Sequence, residues 1–416
     1  MCIRDSSYIS PDLQEILNVL SDKNASVINE DLEGNLFIQS FNIFFPFSSC
    51  DCENFVKSIF CNRISFTVAP LTWIKGTKSI LTFLFFLAFF LKAYAKEVFI
   101  EPGPNAQEKL QEAMILMETG YTLVIKSGVY VLEDSLSLDV DKVIVRGEGM
   151  DKTILDFHDQ KSGAQGLLVT SDAVTLKDFA ILNAKGDALK VIGAKGISMI
   201  GLKTEWTGGP KSTNGAYGFY PVESENVLID KCVAIGASDA GIYVGQSKNI
   251  IVRNSIAQYN VAGIEIENST YADVYDNVAT NNTGGVLVFD LPNLEIQGGQ
   301  ATRVFNNEIY RNNTENFAPE GAIVGNVPPG TGLLILANDN IEVFENQFWD
   351  NGNVNLMIYS YTLGGRTVED PNYDPFPEQI YIHDNDFRGG GTSPRHPSGT
   401  GPAPGIQKKT KRTFKR

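Results

Sequence analysis

Four side chains at one repeating position carry the clearest chemistry that this sequence offers. Lys190, Tyr220, Tyr243 and Glu265 recur at the same place in successive segments of alternating Val and Ile. A tyrosine or a lysine can take a proton from a sugar carbon, and a carboxylate or an ammonium group can stabilise the charge that develops. These four residues are the predicted catalytic set, for β-elimination or epimerisation at an acidic sugar.

Insertions flank this repeating segment and predict the walls of a groove. They precede it at 204–216 and 314–331 and follow it at 289–300 and 359–378. Loops on a rigid scaffold commonly hold binding residues, and aromatic rings stack on sugar rings. The predicted substrate-binding residues are Trp206, Tyr217, Glu267, Phe289, Asp290, Tyr361 and Tyr373.

Simpler explanations exist for the same side chains. An outward Tyr or Glu is commonly solvated surface, and Trp206 could pack beneath its own loop. Asp187 and Asp239 lie at turns, where Asp commonly accepts hydrogen bonds from backbone amides. Carboxylates at 369, 370, 374 and 378 provide oxygen ligands of the kind that calcium prefers, but their spacing is irregular. Calcium is therefore the one cofactor candidate, and no metal ligand is assigned.

The elements that position these residues are short strands in a repeat of about 22 residues. Copies begin at 226, 249 and 271, and degenerate copies begin at 301, 340 and 379. Each copy breaks its Val/Ile segments with Asn and Gly, which indicates two or three brief strands per turn of a coil. One coil cannot bury its own apolar face, so the coils must stack about 4.8 Å apart. A β-sandwich is the alternative fold, but it gives no reason for asparagines in register.

Stacking predicts columns of identical or similar side chains. Each set recurs at the repeat interval, with aliphatic residues inside and asparagines at the turns, where they can hydrogen-bond from coil to coil. The predicted columns are Ile242/Val244, Ile264/Ile266, Val286/Val288 and Ile358 inside, then Asn277, Asn307, Asn346 and Asn385 at one turn, and Asn260, Asn282, Asn313 and Asn351 at another.

The segment before the repeats predicts a short helix that covers the first coil. Asn105 is a suitable N-cap with Glu108 at the third helical position, and an amphipathic pattern continues to about residue 118. The predicted fold is all-β, a single-stranded right-handed parallel β-helix with a short N-terminal capping helix.

This helix, the SGVY turn at 127–130, the RGEG turn at 146–149 and the Asn-rich coils resemble the pectate-lyase-like superfamily. The chain is most similar there to right-handed parallel β-helix repeat proteins of the NosD-like and mannuronan-epimerase-like kind. The resemblance implies the fold over 96–390 and an exported subfamily. It does not single out an activity, since lyases, hydrolases, epimerases and non-catalytic binders share the fold. The Asp-Pro-His-Asp motif of the epimerases is absent, and DPNYDP at 370–375 lacks its His. Neither the calcium-binding Asp cluster of the lyases nor the carboxylate pair of the hydrolases can be identified.

The N-terminal region contains a predicted secretory signal. Lys75 and Lys78 precede an apolar run at 80–91 and an Ala-x-Ala site at 93–95. About a dozen apolar residues are too few to span a bilayer, which needs about 20. The predicted organisation is a non-native or disordered leader (1–70), a signal peptide (71–95), the β-helix (96–390) and a disordered basic tail (391–416). The position of the signal suggests a misplaced start, and the tail suggests truncation.

Composition narrows the partners. The formal charge of −15 argues against nucleic acid. Four of five cysteines precede residue 62, so the repeats contain no disulfide framework. The predicted function is an exported protein, periplasmic or extracellular and without a membrane span in its mature form, that binds or modifies a polysaccharide. The alternative is a non-catalytic NosD-like scaffold that supports another exported protein.

Overall fold

The computed structural model describes residues 28–30, 36–38, 43–45, 96–363 and 366–395. The predicted signal peptide, most of the predicted leader and the tail from residue 396 lie outside these residues. The chain divides into two units, Met1–Leu91 and Lys92–Arg416. In the first unit, three strands pair antiparallel. Within the described ranges, no helix combines the length and the apolarity that a bilayer crossing needs.

Within the described residues, the secondary structure consists of short strands, one α-helix and one 3-10 turn. In chain order they are β1 (Ile28–Glu30), β2 (Leu36–Ile38), β3 (Ile43–Phe45), β4 (Glu97–Ile100), α1 (Ala106–Leu116), β5 (Thr122–Ile125), β6 (Gly128–Val131), β7 (Leu136–Leu138), β8 (Ile144–Arg146), β9 (Thr153–Asp156), β10 (Gln165–Val169), β11 (Val174–Lys177), β12 (Ala180–Leu182), β13 (Asp187–Ile192), β14 (Lys195–Ile200), β15 (Lys203–Glu205), β16 (Tyr217–Val222), β17 (Glu225–Asp230), β18 (Val233–Ile235), β19 (Ala240–Gly245), β20 (Lys248–Arg253), β21 (Ile256–Gln258), β22 (Ala262–Glu267), β23 (Thr270–Tyr275), β24 (Val278–Thr280), β25 (Gly284–Phe289), β26 (Gln300–Phe305), β27 (Glu308–Tyr310), the 3-10 turn (Ile323–Asn326), β28 (Thr331–Leu336), β29 (Glu342–Phe344), β30 (Gln347–Trp349), β31 (Val354–Tyr359), β32 (Tyr381–His383) and β33 (Asp386–Arg388).

From β4 onward the strands form three parallel sheets. Sheet A runs β7-β10-β13-β16-β19-β22-β25-β28-β31, sheet B runs β4-β5-β8-β11-β14-β17-β20-β23-β26-β29-β32, and sheet C runs β6-β9-β12-β15-β18-β21-β24-β27-β30-β33. Each full coil takes one strand from sheets B, C and A in that order. The fold is the predicted right-handed parallel β-helix.

The inner core is a continuous apolar column. On sheet A, Ile242 pairs in register with Ile264, Ile264 with Val286, and Val286 with Leu333, and each of these side chains is fully buried. Burying one such side chain contributes roughly 1.5–3 kcal/mol relative to leaving it in water. Ile358 continues the neighbouring column of Val244, Ile266, Val288 and Ile335, but it is 43% exposed because no described strand of sheet A follows β31.

Asparagine ladders fix the turns. Asn277 donates its Nδ2 to Asn307 Oδ1 at 3.0 Å, and the same bond links Asn307 to Asn346 and Asn346 to Asn385 at 2.9 Å. This confirms the first predicted column.

The second ladder contains Asn312 and not Asn313. Asn282 donates to Asn312 Oδ1 at 3.0 Å, and Asn312 donates to Asn351 Oδ1 at 3.1 Å. Asn312 is fully buried, whereas the exposed Asn313 side chain bonds only backbone groups. Because the two asparagines are adjacent, spacing alone could not choose between them.

The predicted capping helix is present. α1 buries Ala106, Leu110 and Met114 against the inner core. The expected side-chain cap is absent: Asn105 adopts a left-handed backbone with φ 59° and makes no capping hydrogen bond. Contact with the first coils, and not a capping box, therefore holds the helix in place.

Candidate functional site

The predicted catalytic residues lie on the outer face of sheet A, on neighbouring strands. Lys190 pairs in register with Tyr220, and Tyr243 pairs with Glu265. Strands β13, β16, β19 and β22 supply one residue each, because alternate residues of a strand point away from the core. The row continues into Leu287 on β25.

Three tyrosines form one cluster on this face, which we call the tyrosine cluster. The ring centroid of Tyr217 lies 4.3 Å from that of Tyr220 and 4.8 Å from that of Tyr243, and the Tyr220 and Tyr243 centroids lie 5.0 Å apart. Tyr217 and Tyr220 are half-buried, whereas Tyr243 is buried. Burial raises the pKa of Tyr220 to about 12, with help from the charges of nearby carboxylates. A tyrosinate base is therefore disfavoured at neutral pH.

Two carboxyl groups accept hydrogen bonds from this cluster. Tyr243 Oη donates to Glu267 Oε1 at 2.8 Å, and Tyr217 Oη donates to Asp239 Oδ2 at 3.4 Å. Burial raises the pKa of Glu267 to about 7, against the opposing effect of the Tyr243 hydrogen bond. Burial also raises the pKa of Asp239 to about 7, and the charge of Glu267 adds to this effect.

Glu265 is the most deeply buried carboxyl group of the site. Its side chain is 1% exposed, and Oε2 has no hydrogen-bond partner among the residues that the structure describes. Burial, followed by the charges of Asp239 and Glu267, raises its pKa well above the ordinary value. Glu265 therefore favours its neutral form beside its two neighbours.

At the other end of the cluster, Lys190 meets one more carboxyl group. Its Nζ lies 3.8 Å from Asp187 Oδ2 and 4.7 Å from the centroid of the Tyr220 ring. Burial raises the pKa of Asp187 to about 6, although the charge of Lys190 opposes this shift. The site thus combines a cation, aromatic faces and carboxyl groups that exchange protons near neutral pH.

A glycine makes room for the Tyr243 hydroxyl group. Gly245 lies two residues further along β19, in register with Glu267. A Cβ atom at this position would overlap the Tyr243 side chain. The missing side chain lets Tyr243 lie along its own strand and reach the Glu267 carboxylate.

Beyond Glu265 the outer face of sheet A is covered by a second apolar cluster, which we call the wall. It contains side chains of sheet A, of the loops at 290–299 and 311–330, and of the segments at 360–363 and 366–380. The four predicted insertions do flank sheet A, but three of them pack over it. The buried residues of the wall include Leu287, Phe289, Leu291, Val324, Val327, Leu334, Leu336 and Tyr373.

This packing changes the interpretation of several predicted binding residues. Phe289 is 1% exposed and belongs to the wall. Asp290 accepts hydrogen bonds from the N–H groups of Gly298 and Gly299 at 3.1 and 2.8 Å, so it holds its own loop. Tyr373 is buried, and its hydroxyl group donates to the Asp290 carbonyl oxygen at 2.6 Å. Tyr361 is half-buried against Tyr373, with centroids 5.4 Å apart.

Trp206 requires a correction. It was predicted to line the groove, but its indole is 6% exposed and belongs to the inner core. Nε1 donates to the Ala184 carbonyl oxygen at 2.7 Å. Trp206 therefore packs beneath its own loop, which was the simpler explanation.

Sequence reasoning missed Asp187 and Asp239 as site residues. Both were assigned to turns, yet both meet the tyrosine cluster or its lysine. Their position at the start of the outward strand, next to predicted site residues, is the signal that could have identified them. No three His, Cys, Asp or Glu side chains of the described residues are grouped so that they could hold a metal ion. Asp370, one of the calcium candidates, accepts hydrogen bonds from the Gln297 side chain and the Asn372 N–H.

Comparison with known proteins agrees with this architecture. Residues 143–301 match the family described as "Right handed beta helix region". The chain is a right-handed parallel β-helix protein, as its three sheets also show. No curated protein sequence matches it significantly.

Several solved structures are similar in fold. The A-module of a mannuronan C-5 epimerase of Azotobacter vinelandii is 15% identical, with 70% of this chain and 93% of that chain covered and a TM-score of 0.47. An alginate lyase of Paenibacillus sp. is 15% identical, with 71% and 98% covered and a TM-score of 0.47. A DFA-IIIase of Arthrobacter chlorophenolicus is 11% identical, with 73% and 91% covered and a TM-score of 0.46.

Proposed function

We propose that this chain is an exported carbohydrate-active protein that binds a saccharide at the tyrosine cluster and hydrolyses a glycosidic bond with Asp239 and Glu267. The observation that carries the proposal is the pair of tyrosine-bonded carboxyl groups, each with a pKa of about 7. Glycoside hydrolysis commonly requires one carboxyl group that gives a proton and one that is ionised.

The hydrogen bonds assign the two roles. Glu267 accepts a short bond from Tyr243, which favours its charged form, whereas the bond to Asp239 is long at 3.4 Å. The Asp239 carboxyl group then gives its proton to the leaving glycosidic oxygen as the bond to the anomeric carbon breaks. The Glu267 carboxylate takes a proton from a water molecule, and the oxygen of that water bonds to the anomeric carbon in place of the leaving oxygen. Proton exchange with solvent restores both groups.

The pH dependence of turnover follows from these roles. Glu267 must be ionised and Asp239 protonated, and both have a pKa of about 7. The rate therefore falls on either side of a maximum near pH 7, and the two limbs belong to the pair together.

The charges of the site favour a neutral sugar next to the carboxyl pair. Asp187 and Asp290, each with a pKa of about 6, add negative charge at pH 7. β-Elimination or epimerisation at an acidic sugar is the second candidate, and Lys190 is the observation that favours it, because its ammonium group could neutralise a substrate carboxylate. A tyrosine base is less suited to that reaction, since the tyrosine pKa values are raised.

Export is part of the proposal and is supported by the signal-like segment at 71–95. A non-catalytic scaffold for another exported protein is the function that a negative saccharide result would favour.

The test is binding and turnover on a panel of neutral and acidic polysaccharides. Hydrolysis appears as new reducing ends without unsaturated products, whereas β-elimination adds the ultraviolet absorbance of unsaturated ends. Tyr220→Ala should lower affinity, because stacking on an aromatic face is worth roughly 0.5–1.5 kcal/mol. Tyr271→Ala is the matched control, since Tyr271 is 61% exposed on sheet B.

Each outcome has a defined meaning. New reducing ends that depend on Tyr220 and not on Tyr271 support hydrolysis at this site. Unsaturated products would replace hydrolysis with the second candidate. Binding without turnover would leave a carbohydrate-binding protein, and absence of binding to every polymer would favour the scaffold function.

A further inference from the structure

The outer face of sheet A is open at its β7 end and closed along β19, β22, β25 and β28. Along the outward row, Ser137 is exposed, and Leu168, Lys190 and Tyr220 are half-buried. Tyr243 is then 4% exposed, Glu265 1% and Leu287 0%. Solvent access therefore ends between Tyr220 and Tyr243, where the carboxyl pair lies.

The wall that covers these strands is held in place by hydrogen bonds from several elements. Asn268 donates to the carbonyl oxygens of Leu291 and Ile296, so it fixes the loop at 290–299. Asn316 donates to two carbonyl oxygens within the loop at 311–330. The Tyr373 hydroxyl group joins the segment at 366–380 to Asp290. These hydrogen bonds make the wall a fixed part of the fold and not a lid.

A pocket in the wall is too small for a sugar. It is lined by Phe289, Leu334, Leu336 and Tyr359 among others and has a volume of about 30 Å³. That volume suits a single water molecule. A saccharide chain that lies along sheet A must therefore end at the tyrosine cluster.

From this geometry we infer that the site acts on the ends of saccharide chains and excludes internal positions of a polymer. The inference rests on the proposed function and adds the substrate class to it. One coil advances the solenoid by about 4.8 Å, close to the length of one sugar residue, so successive sugars would follow β16, β13 and β10 toward the open end. The terminal sugar would lie beside Asp239 and Glu267, and the next sugar would contact Tyr217 and Tyr220, so that the bond between the two faces the carboxyl pair.

The experiment uses the full chain and oligosaccharides of the polymer that it turns over or binds. One set carries a bulky fluorescent tag at the reducing end, and the matched set carries it at the non-reducing end. The expected result is that one tag abolishes binding and turnover while the other is tolerated. On the untagged polymer, one short product should be released from the start and viscosity should fall slowly.

Two results would overturn the inference in different ways. Tolerance of both tags, or rapid loss of viscosity with products of many lengths, would show that a chain passes through the site. The proposed function would then stand without the end specificity. Failure of every saccharide to bind would remove the proposed function and this inference together.

Discussion

Replacing Asp290 with Asn should raise the free energy of unfolding at neutral pH and leave the free energy of unfolding unchanged in acid. The carboxyl group is 4% exposed, and burial, with the charges of Asp339 and Asp374, raises its pKa from the ordinary 3.8 to about 6. The folded state therefore disfavours the ionised form of Asp290, and ionisation lowers the stability of the protein. The destabilisation is absent below pH 4, grows between about pH 4 and pH 6, and is constant above that range.

The two pKa values set the size of this effect. Each pH unit of difference corresponds to about 1.4 kcal/mol, so at pH 7 the penalty is about 3 kcal/mol. The Asn variant keeps the Oδ1 atom that accepts hydrogen bonds from Gly298 and Gly299. For a folded body of this size, about 3 kcal/mol corresponds to a rise in Tm of about 5 °C.

Thermal unfolding of the wild type and of Asp290→Asn at pH 3.5 and pH 7 measures this difference. The exposed Glu308 on sheet C provides the matched control, because Glu308→Gln removes a carboxyl group without a buried site. A difference in Tm that is the same at both pH values would refute the reasoning. So would an Asn variant that is less stable than the wild type at pH 7.

Three further predictions test the account. Asn312→Ala should lower the free energy of unfolding by about 3 kcal/mol, because it leaves several buried ladder partners without a hydrogen bond. Asn313→Ala is the control and should lower it by less than about 1 kcal/mol. Equilibrium unfolding of both variants measures the difference. Trp206→Phe should lower the free energy of unfolding by about 1 kcal/mol and leave saccharide affinity unchanged. A loss of affinity without a loss of stability would restore the predicted binding role of Trp206. Gly245→Ala should displace the Tyr243 side chain, so that turnover falls strongly while Tm changes little. Activity and melting measurements on the same variant test this.

The repeat pattern predicted the fold because stacking imposes the same constraint on every coil. Apolar residues recur inside and asparagines recur at the turns, so spacing alone gave the inner column and the first asparagine ladder. The error at Asn313 arose where two asparagines are adjacent and an insertion follows. The helix was predicted from its apolar pattern, whereas its cap depends on the backbone at Asn105, which the sequence does not specify.

The site was predicted less completely because loops decide which outward residues stay accessible. Register placed Lys190, Tyr220, Tyr243 and Glu265 on one face, and the strands agree with that placement. Packing of the insertions against sheet A then buried Phe289 and Tyr373 in the wall. Asp239 and Asp187 were missed because the sequence does not show that a turn residue meets an outward side chain.

The catalytic roles of Asp239 and Glu267 are the central claim. The most direct test is the rate of glycosidic bond cleavage by Glu267→Gln and Asp239→Asn, beside the control Glu308→Gln, on the saccharide that the wild type turns over. General acid–base catalysis contributes roughly 10²- to 10⁴-fold to a rate, so each site variant should lose at least about 100-fold while still binding the saccharide, and Glu308→Gln should match the wild type. Turnover that survives in both Glu267→Gln and Asp239→Asn would contradict the account.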